Sequence, residues 1–76
     1  MNEFKIGGEI TLDENEKYII VDIVKIGDEI YYFSSSKKKP ITPKIFQRID
    51  EGKNTFIEFI EDPKIVKKVL EKVLKG

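Results

Sequence analysis

Eight residues in the middle of the chain carry its clearest chemical suggestion. These are Tyr31, Tyr32 and Phe33, followed by Lys37, Lys38, Lys39, Lys44 and Arg48. No Asp or Glu stands between positions 37 and 48. Basic side chains neutralise phosphates and aromatic rings stack on unpaired bases, so a single-stranded nucleic acid is one ligand that such a patch takes. The simpler account is solvation. Consecutive aromatics on a strand point to alternate faces, so at least one of the three turns inward, and a lysine-rich loop commonly does no more than guard a sheet edge. The patch belongs to a wider asymmetry. Residues 1–36 hold three Lys against eight acids, net −5, and residues 37–76 hold eleven Lys or Arg against six acids, net +5. Over the whole chain the charges cancel, which argues against a histone-like protein or an acidic tail.

Other residue types offer less. Ser34, Ser35 and Ser36 lie next to three lysines, but a Ser/Lys nucleophile needs a desolvated lysine and an oxyanion hole on a rigid frame, which an exposed polar run does not supply. Asp13, Glu14 and Glu16 lack the alternating ligands and the glycine of a calcium loop, and read as a turn. Gly7-Gly8 leads into Glu9 and a strand rather than a lysine and a helix, so it is not a phosphate loop. The chain has no Cys, His or Trp, which excludes disulfides, Cys/His zinc sites, thiol nucleophiles and histidine catalysis. No catalytic, cofactor or metal residues are assigned, and an enzyme is not expected. Asp22 is the remaining oddity, since it interrupts an apolar strand. Buried, it must be paired or have a raised pKa; otherwise it marks a bulge or an exposed end of that face.

The elements that place these residues follow from periodicity. Ala is absent and 13 of the 76 residues are Ile, a composition that favours strands. Ile10 and Leu12 alternate with Glu9 and Thr11 as in a half-buried strand. Residues 17–26 are apolar on both sides, with Ile19, Val21 and Ile23 facing one way and Tyr18, Ile20, Val24 and Ile26 the other, which suggests a central strand. Gly27-Asp28 is a two-residue turn of type II′ character, and residues 29–34 return as its partner. Residues 35–40 read as a flexible polar loop. Residues 41–52 fit two descriptions. As a helix, Thr42 caps, Pro43 leads and Ile45, Phe46 and Ile49 form a stripe. As a strand, Ile41, Ile45 and Ile49 share a face, residues 50–54 turn through Gly52 into a last strand, and Pro43 requires an edge or a bulge. We take the hairpin.

The C-terminal segment is a helix over about residues 63–75, with Asp62 as cap, Pro63 in the first turn and Gly76 as the stop. Ile65, Val66, Val69, Leu70, Val73 and Leu74 cover half of its wheel, so Lys at 69 or 70 should unfold the protein. Its other face, five Lys and Glu71, resembles a membrane-surface helix, but it has no aromatic anchor and the sheet needs its stripe as core. No apolar run reaches the ~18–20 residues that cross a bilayer. Met1-Asn2-Glu3-Phe4-Lys5 does not read as a signal peptide. A soluble, cytoplasmic protein is expected.

Glu9-Ile10-Thr11-Leu12-Asp13, Gly27-Asp28-Glu29-Ile30-Tyr31 and Phe59-Ile60-Glu61-Asp62 leading into residues 65–74 carry a resemblance. Over residues 9–74 the chain resembles a family of small uncharacterised bacterial domain-of-unknown-function proteins, built as a β-meander followed by a C-terminal helix. It departs from them in being less acidic, with a Ser-Lys loop where that family carries acidic residues. The resemblance implies a fold and no biochemical activity.

The expectation is therefore a single α+β domain over residues 1–76. Its sheet, over about residues 4–60, is highly twisted and antiparallel, with four or five strands, curled toward an SH3-like small barrel and covered on one face by the helix. Its expected role is that of a non-catalytic protein-binding module that works through a sheet face or an edge strand, by strand addition or by pairing with itself. A homodimer is suggested because Tyr18, Tyr31, Tyr32 and Phe33 offer more aromatic surface than one short helix can cover. Single-stranded nucleic-acid binding through the eight-residue patch is the alternative. No cofactor and no membrane partner are expected.

Overall fold

The computed structural model describes residues 4–12 and 16–75, and only the backbone of Leu12. The expected turn at 13–15, with Asp13 and Glu14, and the stop at Gly76 lie outside the described residues. Among those described, five strands and one helix follow in order: β1 (Glu9–Leu12), β2 (Glu16–Ile26), β3 (Glu29–Ser36), β4 (Pro43–Glu51), β5 (Asn54–Phe59) and α1 (Pro63–Lys75). Every strand pairs antiparallel with the next, in the spatial order β1-β2-β3-β4-β5. The sheet curls into a half-barrel whose outer edges are β1 and β5, and α1 lies on the other face. This is the expected α+β architecture.

The alternation of β2 breaks where Asp22 predicts it could. Ile20 pairs with Ser34 and Asp22 with Phe33, leaving Val21 as an extra residue in a β-bulge. The Asp22 carboxylate, on a half-buried side chain, accepts a hydrogen bond of 2.8 Å from the Ile23 N–H. The bulge corrects the expected faces of this strand. Tyr18 and Ile20 share the inner face with Ile23, whereas Val24 and Ile26 point to the helix.

Within residues 41–52 the chain is a strand rather than a helix, running over Pro43–Glu51 with Pro43 as its first residue, where the ring is tolerated. A Gly52-Lys53 turn, with Gly52 at φ 60°, joins β4 to β5. β4 divides its pairing. Positions 43–46 pair with β3, positions 46–51 pair with β5, and Phe46 alone belongs to both ladders. β3 runs two residues further than expected, through Ser35 and Ser36, because Ser35 pairs with Pro43 and Ser36 with Tyr18.

Two apolar clusters sit on opposite faces. The inner cluster is Ile10, Tyr18, Ile20, Tyr32 and Phe46, with Phe4, Ile23 and Ile57 packed against it. The helix-side cluster is Val24, Tyr31, Ile45 and Val69, with Phe33, Ile65, Val66 and Val73 among its neighbours. Asp62 caps α1 as expected: its Oδ1 accepts from the Lys64 N–H at 2.9 Å. Val69 is fully buried, but Leu70 is 37% and Leu74 85% exposed. The expectation that Lys at position 70 unfolds the protein is therefore corrected. The sheet receives a narrower stripe than the wheel offers, and Leu70 lies on its shoulder.

Candidate functional site

The eight residues singled out in the sequence do not form one surface. Tyr31 and Phe33 turn to the helix side, Tyr31 being buried and Phe33 half-buried. Tyr32 turns inward and stacks on Phe46, with ring centroids 5.1 Å apart. Tyr31 is 7% and Tyr32 8% exposed and Phe33 is half-buried, so no ring of β3 lies fully open beside the lysines. Both faces of β3 are covered, one by α1 and the other by the curl of the sheet itself. That curl also removes the argument for a dimer from excess aromatic surface, because Tyr18 and Tyr32 are buried within one chain.

The basic residues are largely engaged. Lys37 Nζ donates to Glu9 Oε2 at 2.8 Å, and Lys17 lies 3.6 Å from the same carboxylate. The Lys37 hydrogen bond, helped by the charge of both lysines, holds the Glu9 carboxyl below its ordinary range. Lys44 stands 5.5 Å from the Phe59 ring centre, and the Arg48 guanidinium 4.7 Å from that of Phe4. Arg48 Nε also donates to Asp50 Oδ1 at 3.0 Å. That bond, followed by one of 2.9 Å from the Thr55 hydroxyl, lowers the Asp50 pKa. Lys38 and Lys39 have no acidic partner among the described residues and rim a shallow cleft of about 240 Å³ with Lys17, Tyr18 and Thr42. Burial, reinforced by the nearby Glu16 charge, raises the pKa of the Tyr18 phenol.

The loop bearing these lysines is closed by hydrogen bonds. Ser36 N–H donates to Thr42 O at 3.0 Å, and Thr42 N–H donates to Ser36 Oγ at 2.7 Å. Ser34 is fully buried, and its hydroxyl donates to the Lys44 carbonyl at 3.0 Å. Ser34 thus bonds across the β3–β4 ladder, Ser35 pairs with Pro43, and Ser36 ties the loop.

The open surface lies at the other side of the sheet. Ile60 N–H donates to Ile45 O at 2.9 Å, which fixes the parity of the β4–β5 ladder: the even-numbered residues of β5 bond inward to β4. The N–H and C=O groups of Thr55, Ile57 and Phe59 consequently point outward, with no partner among the described residues. Phe56 is 50% and Phe59 38% exposed. On the helix side, a groove of about 230 Å³ between Phe33 and Ile45 of the sheet, Ile60 just past β5, and Val66 and Leu70 of α1 opens beside this edge. The patch centred on β3 misses these residues. The available signal was that residues 55–60 are apolar on both faces although they end a meander, a position at an edge.

The chain matches no protein-family model, no curated protein and no solved structure.

Proposed function

We propose that the protein is a non-catalytic interaction domain that accepts an extended segment of polypeptide as an added strand along the outer edge of β5. One observation carries this reading: the outward backbone groups of Thr55, Ile57 and Phe59 are unpaired among the described residues. A sixth strand satisfies them, and the alternate side chains of that strand meet Phe56 on the helix side or Ile57 and Phe59 on the inner side. The β1 edge is a poorer site, with four residues and a carboxylate engaged by two lysines. Single-stranded nucleic acid is the second reading. It is supported by the unpaired Lys38 and Lys39, and weakened by the lack of an exposed β3 aromatic beside them.

Amide NMR spectra at low and high salt separate the two, with a short capped peptide of alternating Val and Thr as one probe and a mixed oligonucleotide as the other. Strand addition moves the Thr55, Ile57 and Phe59 amides with the peptide, nearly independently of salt. Salt-sensitive shifts at Lys38 and Lys39 with the oligonucleotide, and none with the peptide, would replace it with the nucleic-acid reading.

A further inference from the structure

Resting on the strand-addition reading, we propose that the occupant of the β5 edge is a second copy of β5. The two strands run antiparallel about a two-fold axis through Ile57. Antiparallel pairing of two such edges must oppose outward residues to outward residues, so only registers that match odd positions with odd positions are open. With the axis at Ile57, the Ile57 side chains oppose each other and Thr55 opposes the second copy's Phe59. Lys53 then meets the second copy's Glu61, at both ends of the ladder.

Charge selects this register from its neighbours. Lys53 and Glu61 lie four positions on either side of Ile57, both are exposed, and neither has an ion-pair partner among the described residues. Moving the axis to Glu58 opposes two glutamates directly, which destabilises a sheet pair. Moving it to Phe56 sets each Lys53 against a Phe59 ring and leaves Glu61 with no cation opposite it. The Ile57 register alone joins opposite charges at each end without opposing like ones. It also merges Ile57 and Phe59 of both copies into one apolar strip on the inner side, while both helices stay on the other face. A ladder this short is at the small end of specific interfaces, so the dissociation constant expected is on the order of 0.1 mM.

Sedimentation equilibrium on the wild type, Lys53→Glu, Glu61→Lys and the double reversal tests the register. Each single reversal turns two attractive pairs into two repulsive ones and should weaken the dimer roughly tenfold, and the double reversal should recover to within about threefold of wild type. All three changes lie at exposed positions outside both cores, and a circular dichroism melt of each confirms folding. Equal dissociation constants in all four proteins, or a monomer at about 1 mM, overturn the second-copy assignment. If the wild type is monomeric but the Val-Thr peptide still moves the Thr55, Ile57 and Phe59 amides, strand addition stands and only the occupant is wrong. If the peptide moves nothing either, both readings fall.

Discussion

The rings of Tyr32 and Phe46 lie 11° from parallel, across the one β3–β4 pair whose β4 member also pairs with β5. Phe4 sets its edge against both rings, at 5.7 and 6.4 Å between centroids. Phe46 is fully buried, and its loss removes the contact that holds two ladders and the N-terminal segment together. Phe46→Ala should cost about 3–5 kcal/mol, most of the stability of a small domain. Urea unfolding followed by tyrosine fluorescence measures it. Phe46→Leu, which keeps most of the volume, should cost less than half as much.

The two leucine and valine positions on α1 should separate cleanly. Val69→Lys places a charge in a fully buried site and should leave no folded protein at room temperature. Leu70→Lys keeps its stem on the groove with its amine in water, so the loss should be about 1 kcal/mol or less. Thermal melts of the two variants settle the comparison.

Ser34 tests the value of one buried polar bond. Ser34→Ala removes the donor to the Lys44 carbonyl at little change of volume, and should cost about 1 kcal/mol. Ser34→Val should cost more, because the site beside the paired Ile20 must also expand. Denaturant midpoints at equal m-values give both numbers.

Acid should expose the ion pairs at the two sides of the sheet. Glu9 and Asp50 are both more acidic in the folded chain than in the unfolded one. They therefore bind protons more weakly when folded, and their stabilisation is complete above the ordinary carboxylate range and lost as pH falls through the lower folded values. A Glu9→Gln/Asp50→Asn variant should melt below the wild type at neutral pH, and the gap should close below about pH 4. Both groups are exposed, so added salt should narrow the gap at neutral pH as well. Melting temperature against pH at two salt concentrations reads the effect.

The strands were legible wherever one residue in two was apolar, as in β1, and wherever a glycine turn fixed the register, as at Gly27-Asp28. Asp22 announced its bulge, but which residues the bulge moved to which face depends on the partner strand, and no local period records that. Residues 41–52 resisted because Ile41, Ile45 and Ile49 recur at a spacing that suits a helix stripe and a strand face alike. The candidate site was the least legible part. Three aromatics beside five basic residues looked like a surface because neighbouring strands are invisible in sequence. Curling of the sheet buried Tyr32, the helix buried Tyr31, Glu9 from the far end of the meander engaged Lys37, and Asp50, two positions along the same strand, engaged Arg48. Among the described aromatic residues, those that remained exposed were Phe56 and Phe59, which the sequence presented as ordinary strand residues.

The handover at Phe46 also sets how the protein comes apart. Beyond that residue, β4 and β5 form a two-stranded ribbon that β3 no longer flanks, tethered by the Gln47–Glu29 side-chain bond of 2.6 Å, the Arg48–Phe4 contact, the packing of Ile57 on the inner cluster and the Ile60–Ile45 backbone bond. Two-stranded ribbons are marginal alone, so this one opens at lower free energy than the meander under the helix. Its amides should exchange with solvent while those of Ile20 and Val24 stay protected, without melting of the core. A strand docked on β5 thus clamps the least durable portion of the molecule. Its arrival is written in slowed exchange along residues 47–59 before it registers in the global melting temperature.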